Sequence, residues 1–335
     1  MSCSPYRWCW PAPAFACPAW RGAGGIRIVS PFDHPTCALA WAPNLYIQAR
    51  PGAGTQARTR RSSDPAEPNV NTHTYQPGRL PVLMSIPHLG TRIPADISRT
   101  MTDAAMDLAD TDWHLDQLYA FAADRGLAVL MPEYSRYVID LNRAPDGADL
   151  YPGADNTELV PSSTFARQPL YQDGLAPDAA EVARRREAFW MPYHDRIRAA
   201  LDGMVEAHGV AVLFDCHSIA SHVPRFFDGR LPDFNLGTAG GASCHPTLQT
   251  ALAAALETHG ADYTLAVNGR FKGGYITRHY GAPARGVHAF QMELSQITYM
   301  DEEPPFIYRP DQAARVQPAL AAMVDAAVDW VTGRG

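Results

Sequence analysis

The stretch LMSIPHLG, residues 83–90, has the pattern of a buried strand that ends at a histidine. Pro87 cannot donate a hydrogen bond to a sheet ladder, and Gly90 tolerates backbone angles that most residues avoid. His88 therefore lies at the carboxyl end of the strand, where open α/β sheets bind their ligands. On its own, such a histidine is more often a structural hydrogen-bond partner than a metal ligand. A second histidine in the same setting would favour a metal site.

The stretch VAVLFDCHS, residues 210–218, repeats this arrangement, because an apolar strand is followed by a polar group that contains His217. The two strands together bring His88 and His217 to one edge of a sheet. Imidazole nitrogen is a preferred ligand of zinc, and catalytic zinc sites commonly combine three protein ligands with one open position. The histidine pair therefore predicts a metal site that needs a third protein ligand.

The acid-rich run DTDWHLD, residues 110–116, is the obvious source of that ligand. A helix would put Asp112 and Asp116 on one face, whereas an extended chain would put every second residue of the run on one face. We predict Asp112 as the third ligand. The alternative is that Asp110 or Thr111 caps a helix while the other polar side chains face solvent. Histidine and aspartate suit several divalent metals, so zinc is not distinguished from another such ion.

Glu293 lies inside the apolar run FQMEL, residues 290–294. A carboxylate in such a strand is costly unless it is paired or takes part in chemistry. Beside a metal-activated water, it would act as the general base that takes up a proton and delivers it to the leaving nitrogen. The alternative is a buried structural glutamate that is bonded to an arginine.

Three arginines are candidates to bind substrate carboxylates, because only a guanidinium offers a bidentate fork that matches a carboxylate. Arg143 is the best placed, since Asn142 and Arg143 directly follow a strand that is predicted over residues 137–141. Arg136 is the second candidate, and its alternative role is a structural pair with Asp140.

The third arginine, Arg278, lies in the segment GRFKGGYITRHYG, residues 269–281, which also contains Lys272. We call this segment the glycine-rich loop. It lacks the GxxxxGK[ST] pattern of a phosphate-binding loop, and no strand clearly feeds a GxGxxG motif here. A loop that binds substrate through Lys272 and Arg278 fits better than a nucleotide site.

Composition limits the class of protein. The chain has 335 residues, of which 46% are hydrophobic, and its formal net charge of −7 argues against a general nucleic-acid binder.

Four of the six cysteines lie in the first 40 residues, and no CxxC pair is present, so a reducing cytoplasm is the expected compartment. The N-terminus has neither an apolar run of about 18 residues nor a signal-peptide pattern. We therefore expect no membrane segment.

Residues 1–72 differ from the rest of the chain, because they are rich in Pro, Gly, Ala, Trp and Arg without the period of a helix or a strand. We expect a disordered N-terminal extension, with a targeting or partner-binding arm as the alternative. Residues 73–335 are expected to form a single α/β domain. From residue 80 strands and helices alternate, which predicts a layered α/β sheet with helices on both faces. The long connection 144–178 is expected to cover a site.

Apolar periodicity and helix or strand breakers locate the individual elements. Strands are predicted over residues 128–132, 137–141, 263–267 and 287–294, and helices over the second half of 103–125 and over 179–208, 243–259 and 310–331. Pro310 suits the first turn of the last helix.

Six motifs in this order resemble the N-formylglutamate deformylase family, the N-formylglutamate amidohydrolases of histidine degradation. They are SIPHxGT from residue 85, DTDWH from 110, SRYVIDLNR from 135, DCHS from 215, the glycine-rich loop, and QxEL from 291. The resemblance covers residues 75–332. It implies a single domain similar to zinc carboxypeptidases, namely a phosphorylase/hydrolase-like three-layer α/β/α sandwich with a mixed, mostly parallel central sheet.

The same resemblance implies hydrolysis of N-formyl-L-glutamate, a small-molecule N-acyl amino acid, to formate and L-glutamate. It implies His88 and His217 as metal ligands, Glu293 as the catalytic carboxylate, and Asn142 with Arg143 as the pair that holds a substrate carboxylate. One departure matters: the carboxypeptidase pattern places a glutamate three residues after the first histidine, where this chain has Thr91. The third ligand must therefore come from elsewhere.

The resulting hypothesis is a metal-dependent amidohydrolase. Zinc, or another divalent metal, is bound by His88, Asp112 and His217. Glu293 acts as base and then as acid, Arg143 holds the α-carboxylate, and Arg278 or Lys272 holds the side-chain carboxylate. One alternative is a zinc amidohydrolase or carboxypeptidase that acts on a different N-acyl amino acid or peptide. The other alternative is a non-catalytic carboxylate-binding module.

Overall fold

A computed structural model describes residues 71–150 and 153–333 of the protein. The extension predicted over residues 1–72 lies outside these ranges, except for Asn71 and Thr72. Within the two ranges, no helix has the length and apolar character that crossing a membrane requires.

A seven-stranded sheet forms the centre of the described residues. Its strands are β1 (His73–Gln76), β2 (Val82–Ser85), β3 (Ala128–Pro132), β4 (Ala211–Ile219), β5 (Phe234–Gly237), β6 (Leu265–Val267) and β7 (Val287–Ser295), in the spatial order β1-β3-β2-β4-β7-β5-β6. The strands β3, β2, β4 and β7 are mutually parallel, and β5 is parallel to β6. Only the β1–β3 and β5–β7 pairs of this sheet are antiparallel. The sheet is mixed and mostly parallel, which confirms the prediction.

Helices cover both faces of this sheet. They are α1 (Ala95–Ser98), α2 (Asp103–Met106), α3 (Leu115–Leu118), α4 (Phe121–Asp124), α5 (Ala179–Arg185), α6 (Met191–His208), α7 (Pro246–His259), α8 (Tyr275–Tyr280) and α9 (Pro310–Val331). Short 3₁₀ turns lie at Ala239–Gly241, Pro283–Arg285 and Gln296–Thr298.

Side chains of the central strands alternate between two hydrophobic cores, one on each face of the sheet. In β4, Val212 and Phe214 enter the first core, whereas Ala211 and Leu213 enter the second. The first core includes residues of α3, α4, α7 and α9, and the second includes residues of α6 and α8. Both faces are thereby buried, as a mostly parallel sheet requires. The architecture is the predicted three-layer α/β/α sandwich.

Most elements of the prediction are confirmed. The strand over 128–132 and the helix over 310–331 have the predicted bounds. The segment 179–208 is helical throughout, although the turn Arg186–Trp190 between α5 and α6 is a π-helix. The second half of 103–125 consists of the two short helices α3 and α4.

The strand predicted over residues 137–141 is wrong, because these residues form a turn. The Val138 amide donates to the Ser135 carbonyl at 2.9 Å, and the Asp140 amide donates to the Leu159 carbonyl at 2.7 Å. The apolar side chains of this turn are buried in the second core instead of pairing in the sheet. An apolar run that packs against a sheet has the same local pattern as one that joins it. The strands β1 and β5 are not predicted by the sequence.

Gly90, just after β2, is fixed by close packing. A Cβ atom on Gly90 would lie 2.2 Å from the carbonyl oxygen of Tyr134, which no side chain tolerates. The segments run side by side here, since the Arg92 amide donates to the Glu133 carbonyl at 3.1 Å. The φ angle of Gly90 is not positive, so the requirement is for space and not for an unusual backbone angle.

We expect Gly90→Ala to lower the free energy of unfolding by about 1–3 kcal/mol, the usual cost of overpacking. The matched control is Gly203→Ala within α6, where a Cβ atom would meet nothing within 4 Å. Alanine at that helical position should raise stability by about 0.5–1 kcal/mol. Urea unfolding measures both changes, and a Gly90→Ala protein as stable as the parent would contradict the packing argument.

Candidate active site

The candidate site lies where three parallel strands end. Strands β2, β4 and β7 are neighbours and share one direction, so their carboxyl ends lie at the same edge of the sheet. Between β4 and β7, Asp215 lies opposite Gln291 and His217 lies opposite Glu293. Because alternate residues of a strand point to the same face, these four side chains lie on one face. His88 follows β2 at the same edge.

The structure brings together the three residues that the sequence predicts as metal ligands, His88, Asp112 and His217. Each offers one ligand atom, and these atoms lie within 4.8 Å of one another. Asp112 Oδ2 is 3.6 Å from His88 Nδ1 and 3.0 Å from His217 Nδ1. All three side chains are buried. We call this group the cluster; the role of its members as ligands stays a prediction.

Asp112 reaches the cluster from a turn between α2 and α3. Its amide donates to the His88 carbonyl at 3.1 Å, which ties the turn to the end of β2. Helix α3 begins after His114, whose φ angle is 61° and whose side chain makes no capping bond. The alternative in which Asp110 or Thr111 caps the helix is therefore wrong.

A carboxylate holds each histidine from the side opposite Asp112. His88 Nε2 is 2.7 Å from Asp140 Oδ1, and His217 Nε2 is 3.0 Å from Asp215 Oδ1. For His88 this partner favours the tautomer with the proton on Nε2, which leaves Nδ1 available as a ligand. His217 Nε2 also lies 2.8 Å from the amide Nδ2 of Asn142. In both rings Nδ1 is the nitrogen nearest Asp112. This carboxylate–histidine pairing is a recurrent feature of metal-binding histidines.

The cluster residues shift one another's protonation. Burial alone would raise the pKa of Asp112, but the imidazoles of His88 and His217 outweigh it and lower that pKa. Burial alone would lower the pKa of His217, but Asp215 and Asp112 raise it well above its ordinary value. Without a metal the cluster thus pairs an ionised carboxylate with a protonated imidazole, and a metal ion would displace that proton.

One buried atom of the cluster accepts no hydrogen bond from the described residues, namely Asp112 Oδ1. The guanidinium Nη1 of Arg136 lies 3.8 Å away, beyond hydrogen-bonding distance. A buried carboxylate oxygen in this state is costly, and a bound cation would satisfy it. Two imidazoles and one carboxylate are also a ligand set of catalytic metal sites. The cluster therefore fits a divalent metal.

Glu293 is buried in β7, and its hydrogen-bond partner is a glutamine. Gln291 Nε2 donates to Glu293 Oε2 at 3.0 Å, and Gln291 Oε1 accepts from the Gly274 amide at 2.6 Å. Burial raises the pKa of Glu293 to about 8, and the nearby His217 opposes that rise. A carboxyl group with this pKa exchanges its proton near neutral pH, as a general base and acid must.

Arg136 and Arg143 lie beside the cluster and line the cavity in front of it. Arg136 Nη2 donates to Asp140 Oδ2 at 2.6 Å, so the structural pair that the sequence offered as an alternative is present. Arg143 Nη2 donates to Thr157 Oγ1 at 2.6 Å, and its Nη1 lies 3.9 Å from Asp140 Oδ2. The position of Arg143 is thus fixed by the connection 144–178.

Asn142 lies between the cluster and the glycine-rich loop, and it lines the same cavity. Its Nδ2 donates to Asp215 Oδ2 at 3.3 Å and lies 2.8 Å from His217 Nε2, and its Oδ1 accepts from the Ile276 amide at 2.8 Å. The Asn142 side chain therefore holds the carboxylate that orients His217. A contact between Asn142 and substrate stays a prediction.

Three loop segments enclose the cavity. The connection 144–178 contributes Thr157, the segment after β4 contributes Phe226, and the glycine-rich loop contributes Arg270 and Phe271. The described residues of this connection form no helix or strand of the sheet, and a connection of this length is usually functional. Here it forms one wall of the cavity in front of the cluster.

Lys272 and Arg278, the predicted cations of the glycine-rich loop, are exposed and lie outside the cavity lining. Arg278 Nε donates to the Gly273 carbonyl at 2.8 Å. Arg270, a third cation of this loop, lines the cavity and is half-buried. The cation of this loop that lines the cavity is therefore Arg270, for which the sequence predicts no role.

Sequence reasoning assigns no site role to the residues that support the cluster. They are Asp140, Asp215 and Gln291. Asp215 and Gln291 stand two positions before His217 and Glu293, so the period of two along a strand is a signal that identifies them. Asp140 lies in a turn, where no comparable period exists.

The fold and the site together define a class of protein. A buried His–Asp–His group at the carboxyl edge of a mostly parallel sheet, with an ionisable glutamate beside it, is typical of metal-dependent hydrolases. A family model described as N-formylglutamate amidohydrolase matches residues 80–300. The chain belongs to the N-formylglutamate amidohydrolase family, which confirms the resemblance that its motifs carry.

Two relatives named N-formylglutamate deformylase come from Pseudomonas species. The one from Pseudomonas putida is 49% identical over 257 residues, and the one from Pseudomonas aeruginosa is 47% identical over 257 residues. Each comparison covers 77% of this chain and 96% of the relative.

Two solved structures share the fold. The N-formylglutamate amidohydrolase from Ralstonia eutropha JMP134 has a TM-score of 0.68 at 26% identity, covering 79% of this chain and 99% of that one. The gene product Atu2144 from Agrobacterium tumefaciens has a TM-score of 0.60 at 18% identity, covering 79% and 97%.

We expect Asp112→Ala to weaken metal binding by about 100-fold or more, since losing even a supporting partner of a ligand costs 10- to 100-fold. Asp116→Ala is the matched control, because Asp116 is an exposed acid of the same run. Elemental analysis and titration against a competing chelator measure both variants. Stoichiometric, tightly bound metal in Asp112→Ala would contradict the assignment of the third ligand.

Proposed function

We propose that this protein is a metal-dependent amidohydrolase that hydrolyses N-formyl-L-glutamate to formate and L-glutamate. The observation that carries the proposal is that one cavity is lined by the two histidines of the buried cluster, the ionisable Glu293, Arg136 and Arg143. The names of the two Pseudomonas relatives support the choice of substrate. Hydrolysis of an acidic N-formyl amino acid needs an activated water, a proton carrier and cations for the carboxylates, and this cavity offers groups for each.

The cluster residues His88, Asp112 and His217 are proposed to hold zinc or another divalent metal. When bound, the ion would act as a Lewis acid that polarises the formyl carbonyl and acidifies water. The protein contributes the orientation of the ligands. Asp140 and Asp215 hold the two imidazole rings so that both Nδ1 atoms point towards Asp112. A ligand set that is already oriented loses little conformational entropy when it binds.

Glu293 is proposed to carry the proton. Its carboxylate removes a proton from the attacking water, whose oxygen bonds to the formyl carbon, and it then delivers that proton to the amide nitrogen as the C–N bond breaks. The products are formate and the free amine of L-glutamate. The hydrogen bond from Gln291 to Oε2 holds the carboxylate and leaves Oε1 as the proton acceptor. Glu293 would have a lower pKa beside a bound dication, and its carboxylate would then be ionised at neutral pH.

Arg143 is proposed to bind the α-carboxylate of the substrate. Its guanidinium is held by Thr157 and lies close to Asp140, the carboxylate that orients His88. This position suits a carboxylate that is attached to the same carbon as the reacting nitrogen. Arg136 adds positive potential at the same end of the cavity.

Cys216 and Cys244 are both buried and unpaired. Free thiols persist most readily in a reducing compartment. The cytoplasm is therefore the compartment that we propose for the reaction.

The purified protein is expected to release formate from N-formyl-L-glutamate, to lose this activity with a chelator, and to recover it with added zinc. A coupled formate dehydrogenase assay measures the product. N-acetyl-L-glutamate and a dipeptide serve as comparison substrates. Faster turnover of either one would contradict the proposed substrate and favour another amidohydrolase or a carboxypeptidase. A protein that binds N-formyl-L-glutamate without metal and without turnover would be a carboxylate-binding module.

We expect Glu293→Gln to lower kcat by about 100- to 10,000-fold, the usual contribution of general acid–base catalysis. The metal content should stay unchanged, because glutamine preserves the shape of the side chain and Glu293 is not one of the proposed ligands. Steady-state kinetics with elemental analysis of the same preparation measures both quantities. Activity close to that of the parent would remove Glu293 from the mechanism.

The same variant tests the raised pKa in metal-free protein. Burial raises the pKa of Glu293 from 4.5 to about 8, so folding favours the protonated carboxyl. The corresponding stability is fully present below the unfolded pKa, and it is lost as the pH rises through the folded pKa. Metal-free parent protein should therefore lose stability relative to Glu293→Gln between pH 5 and about pH 8. Thermal unfolding at several pH values would show this, and a constant difference would contradict it.

A further inference from the structure

The proposed substrate has two carboxylates, and the groups near the cluster account for one of them. Arg143 is linked to the cluster through Asp140, because Arg143 Nη1 is 3.9 Å from Asp140 Oδ2 and Asp140 Oδ1 is 2.7 Å from His88 Nε2. The carbon next to the reacting nitrogen bears the α-carboxylate, which must therefore stay near the cluster. The side chain of the substrate then extends along the cavity towards the loops that enclose it.

Arg270 lies in that loop wall and lines the cavity. Its Nε donates to the Phe226 carbonyl at 2.6 Å, and its Cζ lies 5.5 Å from the centre of the Phe271 ring. The side chain is half-buried. Because a backbone acceptor and an aromatic ring both restrain the guanidinium, it would lose little conformational entropy on binding an anion.

The wall that positions Arg270 is itself held in place. Arg225, the neighbour of Phe226, donates from Nε and Nη2 to Asp155 Oδ1 at 3.1 and 3.0 Å. Phe165 packs edge-on against Phe226, with ring centres 5.0 Å apart. These contacts join the segment after β4 to the connection 144–178, and they fix the carbonyl to which Arg270 is bonded.

We propose that Arg270 binds the side-chain carboxylate of the substrate and thereby selects N-acyl derivatives of acidic amino acids over neutral ones. The proposal rests on the proposed function and deepens it. A guanidinium pairs with a carboxylate through two parallel hydrogen bonds, whereas the neutral amide of a glutamine side chain offers a single acceptor oxygen and no charge. A charge-assisted pair of this kind discriminates by about 10- to 100-fold.

Two other cations of the glycine-rich loop provide matched controls. Lys272 and Arg278 carry the same charge as Arg270, but both are exposed and lie outside the cavity lining. A general effect of positive charge on an anionic substrate would be shared by all three residues. A direct bond to the substrate would be specific to Arg270.

The experiment compares kcat/KM for N-formyl-L-glutamate with kcat/KM for N-formyl-L-glutamine, which has a neutral side chain of the same shape. The enzymes are the parent, Arg270→Gln, Arg270→Lys, Lys272→Ala and Arg278→Ala. We expect the parent to prefer the glutamate derivative, Arg270→Gln to lose about 10- to 100-fold of that preference, and the two alanine variants to keep it. Arg270→Lys should keep part of it, because lysine retains the charge without the planar fork.

The ratio of two substrates on one preparation cancels differences in the fraction of folded enzyme. An unchanged ratio in Arg270→Gln overturns the inference. If kcat/KM falls by the same factor for both substrates, the ratio is also unchanged and Arg270 is a structural residue. A similar loss of preference in Lys272→Ala or Arg278→Ala also overturns it, since the effect would then be a general one. If the parent releases formate from neither substrate, the proposed function itself fails and this inference fails with it.

Discussion

The in-register parallel pairing of β4 with β7 is the constraint on which the site depends. Nine residue pairs join the two strands. On one face of the sheet Phe214 stacks on Phe290 with ring centres 4.8 Å apart, and on the other face His217 lies beside Glu293. A shift of one residue in either strand would exchange its two faces and move these polar groups into an apolar core. The aromatic packing on one face therefore keeps the chemical groups of the other face together.

The second constraint is that the charged groups of the cluster are buried, where an ionised group is costly unless it has a partner of opposite charge. Asp112 and Asp140 are almost completely buried. Removing one partner of such a group leaves an uncompensated charge and costs several kcal/mol. Asp140 therefore sits between His88 and Arg136, at 2.7 and 2.6 Å. The same bonds that satisfy this carboxylate also fix the ring of His88. One set of contacts therefore stabilises the buried charge and orients the histidine that we propose as a metal ligand.

Sequence reasoning succeeds here where local pattern and tertiary position agree. His217 and Glu293 each interrupt an apolar strand, and the period of two then determines which face they share. It fails where the local pattern does not determine how a segment packs. Residues 137–141 are as apolar as a strand, yet they form a turn whose apolar side chains are buried in the second core. Arg270 is a harder case. The direction of a loop side chain depends on tertiary contacts, in this case the Phe226 carbonyl, and a single sequence contains no signal for such a contact.

The fold separates the groups that we propose to react from the groups that line the rest of the cavity. His217 and Glu293 lie in paired strands, which fixes their positions, His88 follows the end of β2, and the Asp112 amide is bonded to the His88 carbonyl. The cavity wall comes from the connection 144–178, the segment after β4 and the glycine-rich loop, and loops accept substitution more readily than paired strands. A change behind a histidine, for example at Asp140, disturbs the cluster whatever the substrate. A change in the loops alters the fit of the amino-acid side chain while the cluster stays intact. A sheet edge of this kind can therefore keep one hydrolytic chemistry while its loops determine which N-acyl amino acid is cleaved.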